Sequence, residues 1–291
     1  MGRGSVKARA FAYVRPRTLE EAHAAFAEAQ GDASFISGGQ SLVPALAMRL
    51  QAPQLLVDLA GLDALRGVRL EGETLRIGAL TRHAETLTEP LIRRHAPLLA
   101  AAAPFVAHPA IRNRGTLGGS VALADPASEF PAMMLAMDAQ MEISGDGGRR
   151  RVPADEYFQD LYQTAVAPGE ILVALHVPAA GANHCWAFDE LARRRGDYAM
   201  VGGGLMAERA GEALHGIRIA FFSVGPTPVR ARRAEAVLEG RAPDAAAIAE
   251  AQRALDGDID PMDDAEIPAA LRRHLARVLL GRLLAKLEAP Q

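Results

Sequence analysis

Along the first hundred residues short apolar runs alternate with amphipathic ones, a pattern that predicts strands interleaved with helices. Phe11-Ala12-Tyr13-Val14 reads as a short strand, and Thr18-Leu19-Glu20-Glu21 is a capping-box pattern opening an alanine-rich helix to about Gln30. Ser34-Phe35-Ile36 reads as a strand running straight into Gly38-Gly39, and Ser41 to Leu50 reads as helix. Leu55 to Leu59, Val68 to Leu70 and Leu75 to Leu80 are β-like, the last two joined by a turn at Glu71-Gly72-Glu73. Single helices are predicted over about Leu91 to Val106 and over Pro126 to Met137. Met141 to Ser144 reads as a strand ending in a hairpin at Gly145-Asp146-Gly147-Gly148.

The pattern changes after a β-like run from Ile171 to Val177, where Pro178 to Asn183 reads Pro-Ala-Ala-Gly-Ala-Asn. This stretch divides the chain into two expected domains, 1–178 and 179–291. Beyond it Trp186 to Leu191, Met200 to Ala207 and Ile217 to Val224 read as successive antiparallel strands. Helices follow at about Ala231 to Leu238, Ala245 to Leu255 and Ile267 to Leu287. Strands first and helices last predict an α+β domain. In the last helix Leu271, Leu275, Val278, Leu279, Leu283 and Leu287 recur at three- and four-residue spacing, as in a helix packed on its own sheet.

Composition narrows the function classes. The 291 residues are 49% apolar and 23% charged with a formal net charge of -3, which argues against disorder and against a general nucleic-acid binder. The single cysteine, Cys185, excludes an internal disulfide, a four-cysteine iron–sulfur cluster and a thiolate zinc site within this chain. The longest apolar run, Pro97 to Ala107, is far short of the roughly 20 residues that span a bilayer. No apolar stretch of signal-peptide length follows the basic residues at the start, so a soluble cytoplasmic protein is expected.

Two glycine pairs stand out, Gly38-Gly39 between Ser37 and Ser41, and Gly118-Gly119 between Thr116 and Ser120. Each reads as a tight turn or as half of a pyrophosphate cradle, since glycine lets successive N–H groups approach one anion and hydroxyls add donors. Neither has the Gly-Lys-Ser or Gly-Lys-Thr of a phosphate loop, nor the spacing Gly-x-Gly-x-x-Gly. The eight histidines show no metal-ligand spacing, so no metal site is expected, and Ser120 and Ser223 lack a nucleophile-elbow pattern. Of the two basic runs, Arg149-Arg150-Arg151 is expected on a solvated hairpin. Arg193-Arg194-Arg195 reads either as solvated surface or as a contact with a partner or ligand.

Three segments together resemble the medium, FAD-binding subunit of the molybdenum hydroxylases. They are Ser37-Gly38-Gly39-Gln40-Ser41-Leu42-Val43-Pro44; Ile111-Arg112-Asn113-Arg114-Gly115-Thr116-Leu117-Gly118-Gly119-Ser120 with Ala124-Asp125-Pro126-Ala127-Ser128-Glu129; and Ala192-Arg193-Arg194-Arg195-Gly196-Asp197-Tyr198-Ala199. The resemblance runs from about Phe11 to Leu284, nearest to carbon monoxide dehydrogenase medium chains and xanthine dehydrogenase FAD-binding subunits. It implies an α+β chain: a p-cresol methylhydroxylase-type two-lobed FAD-binding domain, then a small carbon monoxide dehydrogenase flavoprotein C-terminal domain of antiparallel sheet plus helices.

Residue roles follow by position. Ile36, Ser37, Gly38, Gly39, Gln40, Ser41 and Leu42 resemble a first pyrophosphate loop, and Thr116, Leu117, Gly118, Gly119 and Ser120 a second. Val106 and Leu172 stand where apolar residues touch the cofactor. Glu129, or Asp125 beside it, stands where an acid accepts hydrogen bonds from the adenosine ribose, and Tyr198 where a tyrosine covers the flavin. Gln40 replaces the histidine of covalently flavinylated relatives, which implies noncovalent FAD. Asp189 and Glu190 stand where many relatives carry a lysine that would favour the anionic reduced flavin.

The implied function is electron transfer within an oxidoreductase, with no side chain of this chain serving as acid, base or nucleophile. A large molybdopterin-binding subunit would oxidise substrate, a small subunit would carry the 2Fe-2S clusters, and FAD here would pass electrons to an external acceptor. A dimer of heterotrimers is the implied assembly. Two other readings stay open at this point: a stand-alone flavoprotein oxidase or dehydrogenase, and a non-redox nucleotide-binding module.

Overall fold

In the computed structural model, which describes residues 7–194, 196–265 and 267–288, the chain begins with a small parallel sheet. Its elements are β1 (Ala12–Val14), α1 (Leu19–Glu28), β2 (Ala33–Ile36), α2 (Leu42–Ala47) and β3 (Leu55–Asp58), with β3 between β1 and β2. Thr18 caps α1 by accepting from the Glu21 amide at 3.2 Å. The return bond of the expected capping box is displaced by one residue, because the Glu21 carboxylate accepts from Arg17 N at 2.7 Å. α2 is shorter than the sequence predicts, ending at Ala47 with Arg49 turned into the left-handed region at φ 59°.

The second lobe opens with β4 (Val68–Glu71) and β5 (Thr74–Gly78), followed by α3 (His83–Thr88), α4 (Pro90–His95), α5 (Pro97–Ala102), α6 (Pro109–Arg112), α7 (Leu117–Leu123) and α8 (Glu129–Ala136). The single helix expected over 91–106 is thus broken into pieces. Proline pushes the residue before it out of the helical region, and Ala96 accordingly sits at φ -136°, ψ 54° between α4 and α5. The lobe closes with β6 (Gln140–Gly145), β7 (Gly148–Pro153), α9 (Ala154–Tyr157), β8 (Phe158–Asp160), β9 (Gln163–Thr164) and β10 (Ile171–Pro178). The antiparallel sheet order is β4-β5-β10-β6-β7, with β8 and β9 forming a separate ribbon.

Strand β10 is buried from Ile171 to Val177 because both of its faces are covered. Leu172, Leu175 and Val177 pack on the helices of the second lobe, while Ile171 and Val173 join the apolar cluster of the first lobe with Val57, Leu62 and Leu65. The basic run Arg149–Arg151 lies on a solvated hairpin, as expected, in its exposed edge strand β7. Arg149 pairs with Glu142 at 2.8 Å and Arg150 with Glu170 at 2.6 Å, and charge on an edge strand also deters pairing with another chain.

The C-terminal part is one antiparallel sheet in chain order, β11 (His184–Leu191), β12 (Val201–Ala210), β13 (Ala213–Phe222) and β14 (Val229–Arg230), with α10 (Arg232–Leu238), α11 (Ala245–Ala254) and α12 (Ala269–Ala285) on one face. The other face, with Trp186, Met206 and Phe222, packs on the second lobe. That approach is close: a Cβ on Gly204 would lie 2.7 Å from the Met133 sulfur of α8. The buried stripe of α12 is Ala276, Leu279, Leu280, Leu283 and Leu284. It is rotated from the predicted face, and Leu271 is exposed. Among the described residues no helix is long and apolar enough to cross a membrane.

Candidate functional site

The two glycine motifs meet at the seam between the lobes. Chain leaving β2 turns through Ser37 to Ser41, with Gly39 in the left-handed region at φ 71°. Gly38 faces the second lobe so closely that a Cβ there would sit 2.3 Å from the Arg114 carbonyl oxygen and 2.8 Å from the Gly115 Cα. Ser37 Oγ and Thr116 Oγ1 lie 3.0 Å apart across the same seam. A Cβ on Gly119 would collide with both hydroxyls, at 2.7 and 2.8 Å, so only glycine leaves this floor open.

The motifs do different work. The second glycine pair lies in the first turn of α7 rather than in a loop, with Thr116 as N-cap. Its amides are spent on protein: Leu117 N donates to Thr81 O at 2.8 Å, Gly118 N to Ala79 O at 2.9 Å and Gly119 N to Thr116 Oγ1 at 3.2 Å. Leu117 is fully buried, and a Cβ on Gly118 would lie 2.4 Å from that of Ala79. In the first motif, by contrast, the amides of Gly38, Gly39, Gln40, Ser41 and Leu42 have no acceptor among the described residues. A run of unspent amides beside a positive-φ glycine forms a concave anion seat.

The first motif lines a cleft of about 680 Å³ that also includes Arg82, Arg114 and Thr116 from the second lobe and Arg15 and Arg66 from the first. The sequence reading did not single out these arginines as site residues. Arg114 stands in the Ile111 to Ser120 segment without a role of its own, and Arg82 carries no spacing signal until its antiparallel bridge with Thr116 brings it alongside.

The residue range 9–180 matches the family model for the FAD binding domain in molybdopterin dehydrogenase, and 186–287 matches the CO dehydrogenase flavoprotein C-terminal domain. The chain belongs to this flavoprotein family. It is 35% identical to the carbon monoxide dehydrogenase medium chain of Hydrogenophaga pseudoflava, over 94% of this chain and 96% of that one. To the 6-hydroxypseudooxynicotine dehydrogenase complex subunit alpha of Paenarthrobacter nicotinovorans it is 38% identical, over 97% and 95%. A solved structure of carbon monoxide dehydrogenase from Hydrogenophaga pseudoflava superposes with a TM-score of 0.93 at 36% identity, covering 96% of this chain and 97% of that one.

The remaining flavoprotein positions spread from the seam to the domain interface. Val106 and Leu172 are buried in the main core, where Val106 O accepts from Arg112 at 2.9 Å. Ser120 follows Gly119 on α7, half-buried. Asp125 is buried, accepting from Ala127 N at 2.9 Å and from the Tyr198 hydroxyl at 3.1 Å, while most of the Tyr198 side chain is exposed. Arg195, in the middle of the third motif, lies outside the described residues. Glu129 begins α8, and burial together with the Asp125 charge pushes its carboxyl up to about 7.

Asp189 and Glu190 point to opposite faces of β11, as neighbours on a strand must. Asp189 lies on the α12 side, where Lys286 Nζ reaches it at 2.9 Å. A lysine therefore does stand beside this pair, supplied by a different element. Glu190 faces the first domain with Trp186 and Phe188. Its Oε2 is buried without a hydrogen-bond partner, and burial with the Glu129 and Asp189 charges pushes the group up to about 8.

The donor set suits a flavin dinucleotide. The first loop offers neutral amides to a pyrophosphate over a floor that a Cβ would fill. Elsewhere the Glu190 carboxyl keeps a buried oxygen without a hydrogen-bond partner, and Tyr198 is exposed.

Proposed function

We propose that this chain is the FAD-binding electron-transfer subunit of a molybdenum hydroxylase. In this reading it works between 2Fe-2S clusters on a small subunit and an external acceptor, with molybdopterin on a large subunit and the whole assembled as a dimer of heterotrimers in the cytoplasm. The carrying observation is the row of unspent amides from Gly38 to Leu42 at the lobe seam, in a chain that matches this flavoprotein family over nearly its full length. When bound, the flavin supplies the redox chemistry through its isoalloxazine ring. The residues at 36–42 would seat the pyrophosphate, with Thr116 and Ser120 hydroxyls at its edge and Leu117, Gly118 and Gly119 forming the packed wall beneath. Glu129 or Asp125 would accept hydrogen bonds from the ribose, and Val106, Leu172 and Tyr198 would border the flavin. Noncovalent attachment follows from Gln40, whose amide is turned back onto Gly38 O at 3.2 Å.

The domain division is proposed at 178/179, supported by the end of β10 at Pro178 and the start of a different sheet at His184. The purified chain, reconstituted with FAD, should carry visible flavin absorbance that is released on acid precipitation. A chain that stays colourless after incubation with excess FAD would refute the reading.

A further inference from the structure

We propose that Arg82 and Arg114 are the charged half of the pyrophosphate site, clamping the dianion from the second lobe while the Gly38–Leu42 amides hold it from the first. This rests on the flavin reading above and adds residues that the glycine motifs do not contain. A pyrophosphate brings two negative charges, and neutral amides alone leave them uncompensated. The usual second source, the start of α7, is closed here because its first three amides are bonded to Thr81, Ala79 and Thr116. Cationic side chains on the cleft wall are the remaining source of compensating charge.

Four arginines line the cleft, and two are already committed. Arg15 reaches Ala60 O at 3.2 Å and Asp58 at 3.8 Å, and Arg66 reaches Ala60 O at 3.0 Å and Asp63 at 3.7 Å. Asp58, the single carboxylate among the lining residues, also takes the Tyr13 hydroxyl. The guanidinium groups of Arg82 and Arg114 make no hydrogen bond or ion pair among the described residues, although both border the same cleft.

Their backbones are fixed while their side chains are free. Arg82 N donates to the Glu85 carboxylate at 2.6 Å, and the next amide, His83 N, donates to Gly115 O at 3.0 Å. Arg82 faces Thr116 in an antiparallel bridge, and the Arg114 carbonyl abuts Gly38. Two exposed guanidiniums anchored side by side on the second lobe, facing the Gly38 loop, can fork onto phosphate oxygens without moving the fold.

The test compares Arg82→Ala, Arg114→Ala and the double variant of the full chain, by titration with FAD, riboflavin, ADP and adenosine at low and high salt. Both side chains are exposed and unpartnered, so the variants should melt like the parent, which thermal unfolding verifies. The double variant should bind FAD and ADP about ten- to a hundredfold more weakly. Riboflavin and adenosine should be unaffected, and the salt dependence of FAD binding should flatten. Lysine at either position should restore part of the loss, since it returns the charge without the fork. If the parent binds FAD and ADP but the double variant matches it, or loses riboflavin equally, this proposal is wrong and the flavin reading stands. A parent that binds neither FAD nor ADP overturns both.

Discussion

Replacing Gly38 with alanine places a methyl group 2.3 Å from the Arg114 carbonyl oxygen and 2.8 Å from the Gly115 Cα. Both are backbone atoms, so no rotamer change relieves the contact. A carbon–oxygen approach settles at about 3.3 Å, so the lobes must part by about 1 Å along the seam. Overpacking of this kind costs about 1 to 3 kcal/mol, and separating Ser37 from Thr116 removes a hydrogen bond worth about 1 kcal/mol more. The free chain can relax by opening the seam, whereas the ligand-bound chain cannot. Most of the cost should therefore appear as a roughly ten- to hundredfold rise in Kd for FAD, at about 1.4 kcal/mol per decade. Flavin fluorescence titration measures it. Gly147→Ala at the hairpin tip, where a Cβ meets nothing within 4 Å, serves as the control and should bind like the parent. A Gly38→Ala chain that binds FAD with the parental Kd would refute the backbone-to-backbone seam.

Three further outcomes are expected. Glu129 and Glu190 hold their protons up to about 7 and 8 against an ordinary 4.5, so the native state binds more protons than the unfolded chain in that window. Their contribution is complete below pH 4.5 and is lost as pH rises toward 8, by at most about 1.4 kcal/mol per pH unit and carboxyl. Glu190→Gln should flatten this decline in melts of the FAD-free chain, and an unchanged slope would count against a buried carboxyl there. His83 behaves in the opposite sense: burial lowers it to about 4 from 6.5, so its contribution is present above pH 6.5 and is lost as pH falls toward 4. His83→Leu should blunt that acid sensitivity, and equal acid slopes in the two proteins would contradict a buried neutral ring. Asp155 joins the domains through Arg232 at 2.8 Å, Arg230 at 3.4 Å and Arg218 at 3.6 Å. Asp155→Asn should cost about 1 to 3 kcal/mol and speed proteolysis between residues 178 and 184, whereas parental cleavage rates would show that the cluster does not hold the domains.

Strands were readable in the sequence wherever one face met a core and turn residues bounded the run, as with β5, β6, β10 and the C-terminal meander. Helices were less legible. Reading Leu91 to Val106 as one helical stretch passes over the break at Ala96, which depends on the ring of Pro97 rather than on hydrophobicity. The α12 stripe was misplaced because leucines at 279, 280, 283 and 284 occupy adjacent columns of the helix. Only the sheet beneath, through Cys185 and Ala187 of β11 and Val201 and Leu205 of β12, decides which column is inside.

The glycine pairs show how two motifs that read alike in sequence can be used differently in the fold. In sequence they look alike, each a Gly-Gly flanked by hydroxyl residues. What separates them is where the amides go, and that is a property of neighbours distant in the chain. Gly118 and Leu117 donate to Ala79 and Thr81, which arrive on the segment after β5, so the second pair is consumed in joining α7 to the sheet. The first pair emerges from the end of β2, and among the described residues no backbone carbonyl accepts from its amides. The seam therefore offers free backbone amides on the first-lobe side and side chains, not the α7 amides, on the other. On the proposal above, the anion's charge is met by Arg114, two residues before Thr116, and by Arg82, which only the bridge to Thr116 brings alongside. Of the two pairs, then, Gly38-Gly39 should govern cofactor affinity, whereas Gly118-Gly119 should govern the stability of the second lobe.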